Sequence, residues 1–182
     1  MRVVGIMCGV TLLVAVHAGT AAADEATDPI GKGAETLPIF DAHIHYKPPA
    51  WGSYLPATVL DLMAKNGGAM GLVSSTPDQG TITLWKFAPK RIVPELRPYH
   101  GVYGSSNWTK SPEMADYLEN RLDAYPHEGI GDFHVCSFDP EYEPLLRQVA
   151  AMAKKRNICI HIISGKDPLD LLYSFEPGLK II

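Results

Sequence analysis

From Leu37 onward, apolar runs alternate with amphipathic stretches in a steady rhythm. Short runs rich in Ile, Val and Phe read as strands over 39–46, 69–75, 91–99, 129–137 and 158–164, and 179–182 reads as the opening of a sixth. Between them, apolar residues at helical spacing predict helices over 57–66, 81–88 and 111–124, a long helix opening at Asp139-Pro140, and another from Asp167-Pro168. Pro94 argues against the third strand, because proline removes a ladder donor. Glu141 and Glu143 at the start of the long helix and Lys154-Lys155-Arg156 at its end suit the helix dipole.

Ser111-Pro112, Asp139-Pro140 and Asp167-Pro168 repeat one type of helix start every 28 residues. That is the period of successive β/α units. Apolar strands buried on both faces and separated by helices predict an α/β fold with a parallel sheet and right-handed crossovers, either a (β/α) barrel or a doubly wound sheet. Polar residues gather at the carboxyl ends of the strands, as in barrel enzymes, and no glycine-rich phosphate loop follows the first strand. Both features favour the barrel.

Residues 1–23 are expected to lie outside the fold. Arg2, an apolar stretch from Val3 to Val16 and Ala21-Ala22-Ala23 have the layout of a secretory signal peptide, too short to span a membrane, and 24–36 reads as a linker. The chain is therefore expected to be exported, periplasmic or secreted, and not membrane-spanning. Of three cysteines, Cys136 and Cys159 remain after such processing, on strands predicted to be neighbours; one bridge or two buried free thiols both fit. The net charge of −4 becomes −5 without Arg2 and gives no electrostatic case for nucleic acid.

The candidate chemistry begins at Asp41-Ala42-His43-Ile44-His45. Side chains two apart on a strand leave the same face, so His43 and His45 can converge on one ion. Spacing alone is weak evidence, since 7 histidines in 182 residues give roughly 0.27 chance His-x-His pairs. Other polar strand-end residues add context: Ser74 and Ser75, then Arg97, Tyr99 and His100, then Asp132 and His134, then His161. Arg97, Tyr99, His100 and His134 are candidates for binding a small-molecule substrate, and Trp108 for an aromatic or anionic one, although a solvated loop suits Trp108 as well. His127, ahead of the fourth strand, reads as a surface residue.

These residues together resemble the amidohydrolase superfamily of metal-dependent hydrolases, in its amidohydrolase-related branch. Asp41-Ala-His43-Ile-His45 resembles that family's first-strand metal motif, Gly129-Ile-Gly131-Asp132-Phe-His134 its fourth-strand segment, and Ile160-His161-Ile-Ile163-Ser-Gly165 its fifth. The resemblance covers about Leu37 to Ile182 and implies a partial (β/α)8 TIM-type barrel. It also implies a divalent metal, most naturally zinc, held by His43, His45, Asp132 and His161. Two departures stand out. Ile163 occupies the family's usual fifth-strand histidine position, with His161 one pleat deeper as either a substitute ligand or a core histidine, and the second departure is length; Asp132, where a longer Glu is common, either reaches the metal or serves as a structural hydrogen-bond partner.

Without a signal the chain has 159 residues, against about 250 in a complete barrel. The expectation is a truncated barrel lacking the sixth-strand His and the eighth-strand Asp that usually activates water. Open barrel edges would then favour self-association. Three functions follow: a metal-dependent hydrolase of a small amide, ester or lactone; a non-catalytic remnant of that fold; or a related metal-dependent decarboxylase or hydratase.

Overall fold

The computed structural model describes residues 37–136 and 139–182; the expected signal segment, the linker and the last predicted residue of the fourth strand lie outside them. Strands and helices alternate: β1 (Ile39–Ile44), α1 (Pro48–Trp51), α2 (Pro56–Lys65), β2 (Gly68–Ser74), α3 (Gln79–Phe87), β3 (Ile92–Leu96), α4 (Met114–Ala124), β4 (Gly129–Val135), α5 (Glu143–Arg156), β5 (Cys159–Ser164), α6 (Lys166–Phe175) and β6 (Lys180–Ile181). All six strands pair in parallel, in sequence order from β1 to β6. Among the described residues, no helix is long and apolar enough to cross a membrane.

The sheet is curled. β4 lies three strands from β1, which in a flat sheet is about 14 Å. Yet His43 Nε2 on β1 and Asp132 Oδ2 on β4 are 3.1 Å apart, and the His43 and His161 rings, from β1 and β5, are 5.4 Å apart. Such contacts need the strands to bend around a shared interior, as in part of a barrel.

The outward faces of the strands carry the core. Leu96, Ile130, Phe133 and Ile160 pack with Leu118, Leu146 and Leu172 of the helices in the larger cluster. A smaller cluster, Tyr46, Leu60, Val73, Leu84 and Ile92, joins α2 and α3 to the first three strands. β1 is the exception, with five of its six residues exposed; Ile39 and Phe40 remain 53% and 50% accessible.

Pro94 does not break β3. Its carbonyl accepts from Glu128 N at 2.8 Å, so its donor-less nitrogen also faces β4, ahead of the first paired residue, Gly129. β1 stops two residues earlier than its apolar pattern suggests, because Tyr46 N turns to Ser75 Oγ at 2.9 Å. The helix start expected at Ser111-Pro112 does not form there. Ser111 is buried with an unpartnered hydroxyl, a 3₁₀ turn over Trp108–Lys110 precedes it, and α4 starts only at Met114. Asp139 does cap, accepting from Glu141 N at 2.9 Å, although a 3₁₀ turn intervenes before α5. Asn157, left-handed at φ 57°, closes α5 after its basic last turn.

Cys159 opens β5, and Cys136 lies just past the far end of the neighbouring β4. Cys159 pairs with Gly129 at the start of β4, whereas Cys136 follows its last residue, so both are free, and Cys136 is exposed rather than buried.

Candidate metal centre

β4 shows how the sequence builds the site. Gly131 pairs with His161 and Phe133 with Ile162, leaving Asp132 as an extra residue in β4. This bulge gives two successive inward residues, so Phe133 keeps its place in the outer core while Asp132 is aimed into the curl. The glycines make room. A Cβ on Gly131 would lie 2.3 Å from the His161 carbonyl oxygen, and one on Gly129 would lie 2.6 Å from Cys159 Sγ and 2.9 Å from Glu95 Oε1. With no side chain at either position, Glu95 of β3 reaches across β4 to His161 of β5, Oε2 to Nδ1 at 3.1 Å.

Asp132 is 1% exposed and uses its two oxygens differently. Oδ1 lies 2.6 Å from Arg97 Nε and accepts from Ser74 Oγ at 3.4 Å. Oδ2 faces His43 Nε2 at 3.1 Å and His45 Nε2 at 3.7 Å, and the two histidine nitrogens are 3.0 Å apart. In a tetrahedral site with bonds of about 2.0–2.1 Å, donor atoms are about 3.3–3.4 Å from one another. The three observed spacings bracket that edge, and two imidazoles with a carboxylate are a donor set for a divalent ion. His43, His45 and Asp132 could therefore hold a metal ion.

The surroundings set the protonation that such a site needs. His45 Nδ1 contacts the Ser74 carbonyl oxygen, so Nδ1 carries the hydrogen and donates, leaving the Nε2 lone pair toward Asp132. Burial lowers the His45 pKa below its ordinary value, against the raising effect of that hydrogen bond, which keeps the ring neutral and able to ligate. His161 is shifted the other way, chiefly by its hydrogen bond to Glu95.

The other sequence candidates take distinct places. His161 stands next to the group, its ring centre 5.4 Å from that of His43 and its Nδ1 paired with Glu95, which leaves Nε2 as the nitrogen it could offer an ion. Arg97 is buried beneath Asp132 and stacks on Tyr99, with its Cζ 4.6 Å from the ring centre. Tyr99 and His134 form a pair at the cavity beside the group. His100 stacks on Tyr117 at 4.3 Å and lines a separate cavity with Asp78 and Arg121.

Two surface readings are corrected. Trp108 is buried, because its Nε1 donates to the His134 carbonyl at 3.0 Å and its ring packs on Phe133. His127 is buried too, with Nε2 3.1 Å from Asp78 Oδ1, while Arg121 holds the other Asp78 oxygen. Glu95 escaped the reading altogether; a lone carboxylate inside Val93-Pro94-Glu95-Leu96 was its signal. Compared with protein-family models, curated proteins and solved structures, the chain has no significant match in any of the three.

Proposed function

We propose that this protein is a metal-dependent hydrolase of amidohydrolase type, with the strands forming part of a TIM-type barrel and zinc as the natural ion. The observation that carries the reading is the His43, His45 and Asp132 triangle, with its spacing near a tetrahedral edge. When bound, a divalent ion polarises an amide, ester or lactone carbonyl and acidifies water toward a pKa of about 7.

The chain's own residues prepare that chemistry. Ser74 fixes the His45 tautomer, Arg97 compensates one Asp132 oxygen so that the other can serve as ligand, and the bulge at Asp132 sets its reach. Glu95 and His161 stiffen the adjoining wall.

Metal content of the folded chain after dialysis against a weak chelator tests the proposal. One zinc per chain, absent from the His43→Ala/His45→Ala variant, is expected, followed by hydrolysis within an ester and lactone panel. A folded wild-type chain without metal would overturn the reading and favour a non-catalytic remnant. Carbon dioxide release from an aromatic acid would instead identify the related decarboxylase chemistry.

A further inference from the structure

Beside the metal group lies a cavity of about 380 Å³, lined by Lys47, Thr76, Arg97, Tyr99, Ser105 and His134 together with a glycine. Among the described residues, no carboxylate lines it. Its polar groups are mostly hydrogen-bond donors. Lys47 is a free-standing cation at its rim, and the closest contacts from Arg97 to Asp132 run through Nε rather than through the terminal nitrogens.

His134 is held in place by Tyr99. Tyr99 Oη accepts the His134 backbone N–H at 3.1 Å, and His134 Nδ1 is 3.1 Å from the same oxygen. Burial raises the Tyr99 pKa, so the phenol stays neutral beside the His134 ring. His134 thereby brings a ring held by Tyr99 to the wall of the cavity. Two cations, an imidazole and three hydroxyls around one hollow with no carboxylate complement a group that accepts several hydrogen bonds and bears negative charge.

We propose that this cavity is a carboxylate subsite, with Lys47 and His134 as its specificity residues, so that the molecule acted on at the neighbouring metal group is a small organic acid. The second half of that statement rests on the hydrolase reading, whereas the subsite itself does not. The metal group and the cavity meet at Arg97, which touches Asp132 on one side and lines the hollow on the other.

The test is an NMR titration of the full chain at low salt with benzoate, its neutral isostere benzamide, and sulfate. Benzoate is expected to bind about tenfold more tightly than benzamide or sulfate. Lys47→Met should remove much of that preference and Lys47→Arg should keep it; Lys47 is exposed, so neither change threatens the fold. Equal binding of benzoate and benzamide, equal binding of sulfate, or an unchanged Lys47→Met variant would each overturn the subsite. So would benzoate binding that appears only with zinc and disappears in His43→Ala/His45→Ala, because the carboxylate would then sit on the metal group. A preference for benzoate that persists in a chain unable to bind zinc would uphold the subsite while the hydrolase reading fell.

Discussion

The two flanks of the sheet are held very differently. From β3 to β6, the outer faces are covered by α4, α5 and α6, and Leu96, Ile130, Phe133 and Ile160 are essentially inaccessible. At β1, five of six residues are exposed, and register shifts against β2 interrupt its pairing. The candidate metal group draws one ligand from the well-packed flank, Asp132, and two from the open one, His43 and His45. Rigidity at one end and exposure at the other suggest that an ion would anchor β1 to the sheet as well as serve chemistry.

The sharpest way to break this contrast is to remove equal side chains from the two flanks. Phe133→Ala should cost about 3–5 kcal/mol, as for a fully buried aromatic, while Phe40→Ala, half-exposed, should stay within about 1 kcal/mol. Chemical denaturation of both variants measures the difference, and equal losses would abolish the comparison. Next in size is the metal itself. Zinc at a hundred times its dissociation constant should stabilise the chain by about 2.7 kcal/mol, with the new hydrogen-exchange protection concentrated in β1. In His43→Ala that gain should disappear.

Gly131→Ala tests whether the bulge is needed to deliver Asp132. Its Cβ would collide with the His161 backbone, so a loss of about 1–3 kcal/mol and weaker zinc binding are expected together in melting and titration experiments. The smallest effect is a pH dependence on the covered flank. The His161 pKa is raised by Glu95, so its pairing contributes stability that is fully present below the unfolded value of about 6.5 and is lost as pH rises through the folded value. His161→Gln should therefore lower the melting temperature more at pH 5.5 than at pH 8.5.

What could be read from the chain followed from short-range pattern. The His43 and His45 pair was visible because strand geometry has a period of two, and α5 because the charges at its two ends are local signals. The parallel order followed from the repeat of helix starts. What was hidden depends on contacts between distant residues. The bulge at Asp132 exists only in the register between β4 and β5, and the role of Glu95 only in its reach across two glycines. His127 looked like a surface residue until Asp78, 49 positions away, was brought beside it. The helix start expected at Ser111-Pro112 moved to Met114 because a 3₁₀ turn over Trp108–Lys110 leads into it, leaving the Ser111 hydroxyl buried without a partner.

The burial of Trp108 gives the molecule its own optical reporter. Of the three tryptophans, Trp51 and Trp85 are half-buried, whereas Trp108 is dry and has its indole N–H fixed on the His134 carbonyl. Its emission should be the bluest of the three. Because His134 lines the neighbouring cavity, anything that enters there and shifts that backbone will change the colour and intensity of one identifiable fluorophore, with no label attached.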